Sequence, residues 1–154
     1  MADAPHILIV TSRYYAQIAA ELEASVIEGL QQVGATWEFL EVPGAFEIPG
    51  AIAMAAETGG YDGFAAIGCV IRGETSHYDL ICNEVARGLM DLSLAGIPVA
   101  FGVLTVENEA QAKVRADRRQ KNKGAEVVAA VLRMIGISYR FQSSGSDEPE
   151  GNLN

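Results

Sequence analysis

Apolar residues along this chain fall into two alternating patterns, short continuous runs and longer stretches with helical spacing. His6-Ile7-Leu8-Ile9-Val10-Thr11-Ser12 is a β-branched run, and behind it Ile18, Leu22, Ile27, Leu30 and Val33 recur at near-helical intervals, which predicts a strand and then a helix. Gly34 closes that helix, because glycine accepts the positive φ that helix ends favour, and Trp37 to Val42 forms a second strand before Pro43-Gly44. A helix follows from about Ile48 to Thr58; Pro49 is tolerated in its first turn, where the missing N–H is not needed, and Gly59-Gly60 ends it. Gly63 to Ile71 is apolar without alternation. A strand of that kind is buried on both faces, as in the interior of a parallel sheet covered by helices. Ser76 to Leu94 reads as a long helix, with Ser76 as N-cap and Asp79 three residues on, close to a capping box. Gly96-Ile97-Pro98 stops it, Val99 to Leu104 makes a fourth strand, and Glu109 to Ile135 carries one long helix or two broken near Asn122-Lys123-Gly124.

Four strands, each followed by helix, predict a three-layer α/β/α sandwich on a four-stranded parallel sheet with right-handed crossovers. Ligands of such sheets gather beyond the carboxyl ends of the strands. The expected organisation is one domain over residues 1–141 and a mobile acidic tail over 142–154, where the apolar period is lost. Composition agrees: 154 residues, 49% hydrophobic and 20% charged, suit one compact core. The formal net charge of −9 opposes general nucleic-acid binding, so an anionic ligand would have to be caught by a local basic cluster. No run approaches the ~18 apolar residues of a membrane helix, and Met1-Ala2-Asp3-Ala4-Pro5 lacks the basic and apolar regions of a leader, so a cytoplasmic protein without membrane association is expected. Cys69 and Cys82 lie in different predicted elements and form no CxxC, which points to reduced thiols rather than a disulfide framework or zinc site.

The chemistry should lie in the loops after the strands. Ser12-Arg13-Tyr14-Tyr15 has no glycine through which backbone N–H groups would approach phosphate, so a Rossmann-type nucleotide site is not expected. Its two tyrosines either stack on a flat ring or cover the helix that follows. In Val42-Pro43-Gly44-Ala45-Phe46-Glu47-Ile48-Pro49, small residues let a ligand approach the backbone; Glu47 either belongs to a site or complements a helix dipole. Gly73-Glu74-Thr75-Ser76 feeds a helix N-terminus, where free N–H groups and the dipole favour an anion. His77 stands at that entrance, either as a proton-transfer group, since imidazole gives and takes protons near neutral pH, or as a polar helix-start residue that binds only water. His6 is read as structural. Lys113, Arg115, Arg118, Arg119, Lys121 and Lys123 hold six of the eleven basic residues, forming either a solvated helix face or a cationic patch for an anion.

Several of these segments together resemble the lumazine synthase family, in register from about Ile7 to Arg140. The specific pieces are Pro43 through Pro49, Gly68 through Asp79 with its Val-Ile-Arg-Gly and His-Tyr-Asp core, Cys82-Asn83-Glu84, Phe101-Gly102 followed by Glu107-Asn108, and Asn122-Lys123-Gly124. The resemblance implies a flavodoxin-like fold and condensation of 5-amino-6-(D-ribitylamino)uracil with 3,4-dihydroxy-2-butanone 4-phosphate to 6,7-dimethyl-8-ribityllumazine, the penultimate step of riboflavin synthesis, without metal or redox cofactor. By it, Tyr14 matches the aromatic residue that stacks on the pyrimidine, and Ala45, Phe46 and Glu47 the loop that meets the ribityl chain. Cys69, Val70 and Ile71 match the strand end facing the uracil edge, Glu74 and Thr75 the phosphate turn, and His77 the proton-transfer residue. Phe101 and Arg115 match residues supplied by a neighbouring subunit, Arg115 on the phosphate, and Lys123 a basic residue facing the ribityl side. The implied partners are other copies of the chain in a pentamer with sites between adjacent subunits, and riboflavin synthase. Ala116 to Asn122 replaces the glycine-containing kink of sixty-subunit members with bulky charged residues, which disfavours a tight turn and favours a free pentamer. The competing reading is a non-catalytic flavin- or lumazine-binding homologue, opposed by the retained His77, Arg115 and Gly73–Ser76 turn. A phospho-relay receiver is discarded, because Ser12-Arg13 and Ile71-Arg72 stand where it needs acidic residues.

Overall fold

A computed structural model describes residues 4–145. The elements are β1 (His6–Ser12), α1 (Ala16–Gln32), β2 (Thr36–Val42), a single 3-10 turn (Ala45–Glu47), α2 (Ile48–Ala56), β3 (Gly63–Ile71), α3 (His77–Leu94), β4 (Val99–Val106), α4 (Glu109–Ala116) and α5 (Lys123–Gly145). All four strands run parallel in the order β2-β1-β3-β4. That is the order in which a flavodoxin-like sheet begins, and its reversal beside β1 opens a crevice at the carboxyl ends of the strands.

Side-chain alternation splits the core into two layers. Ile7 and Ile9 of β1 join Ala65, Ile67 and Cys69 of β3 under α1, α4 and α5, where Leu22, Val26, Ala112, Val127 and Val131 close the packing. Leu8, Val10, Phe64 and Ala66 face the other way, against Ile48 and Ile52 of α2 and Val85 and Leu89 of α3. Burying each large aliphatic side chain stabilises the fold by roughly 1.5–3 kcal/mol, so the unbroken apolarity of β1 and β3 is explained by their central positions. α5 packs close on the sheet at Gly102, where a Cβ would meet Ala66 O at 2.7 Å and a Val127 methyl at 2.7 Å. Among the described residues, no helix is long and apolar enough to cross a membrane.

Three local expectations need correction. Ser76 does not cap α3 through its side chain; its backbone is already helical (φ −69°, ψ −1°), and Thr75 Oγ1 instead accepts the His77 N–H at 3.3 Å. The helical stretch after β4 is two helices, as the second of its two readings had it, with residues 117–122 between them. There, loss of glycine does not prevent a compact turn. Asp117 accepts from Arg119 N–H (2.8 Å) and Gln120 Nε2 (3.0 Å), and the one non-glycine residue with positive φ among those described is Asn122, at 47°. A side-chain hydrogen-bonded turn thus replaces the backbone freedom glycine would give. Finally, α5 continues through residues 142–145. The remainder of the expected tail, 146–154, lies outside the described residues.

Candidate active site

The carboxyl ends of β1, β2 and β3 border a cleft of about 540 Å³. β1 leads into it with Tyr14 and Tyr15, whose rings meet edge to face at 5.1 Å and 77°. The two rings of this pair differ in their surroundings. Tyr15 packs against the core beneath α1, whereas Tyr14 is 77% exposed and presents a free face. Arg13 fixes this loop: Nη2 donates to Glu23 of α1 at 2.7 Å, and Nη1 to Glu41 of β2 at 3.2 Å. The ring of Phe46 is also exposed, carried by the 3-10 turn that buries its neighbour Ala45 against the α2–α3 layer. Glu47 completes that turn and lines the cleft.

The end of β3 supplies the floor. β3 pairs with β4 through Ile71, but its pairing with β1 stops at Ile67, so the Cys69–Ile71 backbone has no strand partner on the cleft side. Unpaired N–H and C=O groups in this position suit the edge of a heterocycle. The Cys69 thiol is pushed up to about 11, first by burial and then by the charge of Glu109. It is protonated at neutral pH and offers backbone rather than a thiolate to the cleft. Cys69 is therefore expected to resist iodoacetamide at pH 8 in the folded protein and to react once denaturant is added, as read by mass spectrometry; rapid labelling of native Cys69 would contradict this.

His77 opens α3 at the cleft wall, directly after the exposed turn of Gly73, Glu74, Thr75 and Ser76. Glu74 and Thr75 do not line the cleft itself but adjoin it through that turn. Apart from the Thr75 bond to His77 N–H, no side chain among the described residues caps the helix N-terminus, leaving its dipole and remaining N–H groups available to an anion.

The remaining expected residues lie elsewhere. Phe101, Arg115 and Lys123 line a second cleft of about 270 Å³ along the outer side of β4, the edge strand opposite β2. The basic cluster separates by contact. Lys113 pairs with Glu109 (3.6 Å), Lys123 with Glu126 (3.1 Å), and Arg118 with Glu21 (2.9 Å) and Glu28 (3.3 Å). Arg115 donates to the backbone of Gln111 (3.2 Å), with no carboxylate within salt-bridge distance among the described residues. Sequence reasoning missed Arg13 and Arg72. Each makes one ion pair to a distant element, Arg13 to Glu41 and Arg72 to Glu107, and the cue in the sequence was an arginine directly after a strand.

Fold and cleft together define a flavodoxin-like α/β protein with a sheet-end site bordered by aromatic rings, an unpaired strand end and a histidine at a helix entrance. A family model of 6,7-dimethyl-8-ribityllumazine synthase matches residues 4–138. Proteins of that name from Novosphingobium aromaticivorans and Agrobacterium fabrum are each 48% identical to the chain, covering 87% and 89% of it and 96% and 97% of their own lengths. The one from Bartonella bacilliformis is 46% identical over 89% of the chain and 92% of its own length. The chain belongs to the 6,7-dimethyl-8-ribityllumazine synthase family.

Proposed function

We propose that this chain condenses 5-amino-6-(D-ribitylamino)uracil with 3,4-dihydroxy-2-butanone 4-phosphate to 6,7-dimethyl-8-ribityllumazine, releasing phosphate and two molecules of water. The carrying observation is the gathering of Tyr14, Phe46, the open Cys69–Ile71 backbone and His77 around one cleft. In this reading Tyr14 stacks on the pyrimidine, the β3 backbone meets its polar edge, and Ala45, Phe46 and Glu47 border the ribityl chain. The phosphate sits at the α3 entrance beside Glu74 and Thr75.

The uracil 5-amino group attacks the ketone and the carbinolamine loses water to form an imine. Removal of a carbon-bound proton expels phosphate and leaves an enol, which tautomerises to a ketone. The ribitylamino nitrogen then closes the ring on that ketone, and a second water departs. His77 moves protons in these steps. Holding two reactive partners in a near-attack arrangement supplies up to ~7–11 kcal/mol by itself, so much of the acceleration comes from placement.

The reading also includes assembly. Phe101, Arg115 and Lys123 lie in a separate cleft of their own chain, and a pentamer in which each chain lends them to its neighbour's His77 cleft would complete the site. The same reading makes the protein a cytoplasmic transferase, with riboflavin synthase, which consumes the product, as its partner. Residues 1–141 form the catalytic unit.

Mixing the purified protein with both substrates and following lumazine absorbance tests the activity; substrate binding without product would leave a non-catalytic binder. His77→Ala is expected to lower kcat about a hundredfold and leave measurable turnover. Complete loss with folding and substrate binding intact would overturn the dominance of placement.

A further inference from the structure

The turn that delivers His77 has little of its own to hold it. Residues 72–77 are all exposed, and a Cβ added at Gly73 would meet nothing within 4 Å. Ser76 makes no side-chain cap, and the Thr75–His77 contact lies wholly inside the turn. Arg72 ties the start of this segment to the rest of the fold, and Tyr78, directly after His77, is hydrogen-bonded to Thr105 of β4 and to Cys82.

The Arg72 backbone N–H donates to Val106 O at 2.9 Å and extends the β3–β4 pairing. From that fixed base the side chain reaches forward. Nη1 and Nη2 stand 3.4 and 3.3 Å from the two oxygens of Asp79, Nε donates to Glu107 at 2.8 Å, and the guanidinium carbon lies 4.3 Å from the centre of the Tyr78 ring. Tyr78 and Asp79 are the two residues that follow His77. Glu107 precedes Asn108, whose side chain caps α4 by accepting from Gln111 N–H at 2.9 Å. One planar cation thus joins the entrance of α3 to the entrance of α4.

An arginine beside an anion-binding turn invites assignment to the phosphate, and the geometry argues otherwise. Two carboxylates face this single guanidinium, so the group has no net charge left to offer an anion. Its positive charge also offsets Asp79, which would otherwise oppose a phosphate at the same helix start. Exposed ion pairs contribute little stability one at a time. Their value here is directional, because a rigid fork with a stacked face fixes orientation as a flexible ammonium does not.

We propose that Arg72 is a positioning residue for the condensation: held between Asp79 and Glu107 with Tyr78 against its face, it fixes the first turn of α3 so that His77 meets the reacting atoms, without touching substrate itself. This rests on the reading of His77 as the proton-transfer residue.

The test is steady-state kinetics with both substrates on the wild type, Arg72→Lys, Asp79→Asn, His77→Ala and the His77→Ala/Arg72→Lys double variant. Lysine keeps the charge and loses the fork; asparagine leaves Arg72 in place and weakens one tie. Misplacement of a catalytic group by about an ångström costs up to a hundredfold, so Arg72→Lys is expected to lower kcat about tenfold with the KM for the uracil unchanged. Asp79→Asn should lower kcat as well. Once His77 is gone, Arg72→Lys should cost nothing further in kcat. Losses that multiply in the double variant overturn the proposal, and so does full activity of Arg72→Lys. An intact kcat in Asp79→Asn also overturns it, whatever the KM for the phosphate substrate, since loss of the Asp79 charge lowers that KM by itself. If Arg72→Lys fails to fold, the Asp79→Asn result decides. A wild type without turnover refutes the functional reading itself; an active wild type indifferent to these changes refutes only the role of Arg72.

Discussion

Replacing Arg115 with alanine is expected to lower kcat/KM for the four-carbon phosphate about a hundredfold or more while leaving the KM for the uracil nearly unchanged. Truncating one member of a buried, charge-assisted contact costs about 2–5 kcal/mol, and each 1.4 kcal/mol is a factor of ten. Among the described residues Arg115, Arg119 and Lys121 of the basic cluster have no carboxylate within salt-bridge distance, and of these Arg115 is the arginine that lines the second cleft. Lys113, Arg118 and Lys123 already face carboxylates of their own chain, whereas the Arg115 guanidinium has only a backbone carbonyl among the described residues. Substitutions at Lys113 or Arg118 should therefore have much smaller kinetic effects. Arg115→Lys should recover only part of the loss, because an ammonium lacks the fork that meets two phosphate oxygens together. Steady-state measurements with each substrate varied in turn provide the check, and unchanged constants for Arg115→Ala would remove it from the site.

The largest loss of stability is expected from Arg13→Ala. Glu23 is only 7% exposed, and its carboxylate receives Arg13 at 2.7 Å, with Thr11 Oγ1 at 3.4 Å as a weaker donor. Removing the cation strands a buried charge, which costs about 3–5 kcal/mol. The loss should appear as a lower urea midpoint at matched protein concentration. Adding Glu23→Gln should restore much of it, since the amide removes the stranded charge. A change below about 1 kcal/mol would mean that water reaches Glu23 once Arg13 is shortened. Because Arg13 directly precedes Tyr14, the variant should also weaken binding of a flat ring.

The fold was legible wherever burial leaves a continuous or periodic mark. β1 and β3 occupy the segments their apolar runs delimit, because both are central and covered on two sides. The 3-10 turn at Ala45–Glu47 was not legible: a single turn is too short to show a period, and its phenylalanine points outward. The start of α3 was legible, with Ser76 in the N-cap position, but its expected side-chain cap is absent because the chain is already helical there and the hydroxyl bonding comes from Thr75. Within the cleft, Tyr14, Glu47 and His77 were reached through topology, whereas Cys69, Val70 and Ile71 came only from the family resemblance. Arg13 and Arg72 were reached by neither, since their roles depend on partners such as Glu23, Glu41 and Glu107 that only the folded chain brings near. The 117–122 turn shows the reverse: missing glycines disfavour a tight bend on steric grounds, while Asp117 supports a turn there by hydrogen bonding.

The two clefts at different edges of the chain bear on inheritance as well as catalysis. If each copy lends Arg115 outward and keeps His77 for itself, a fault in the first is felt by the neighbour and a fault in the second by its owner. A cell carrying one allele of each kind would build mixed rings in which some junctions bring an intact Arg115 to an intact His77. Two defective genes would then restore between them an activity that neither provides alone.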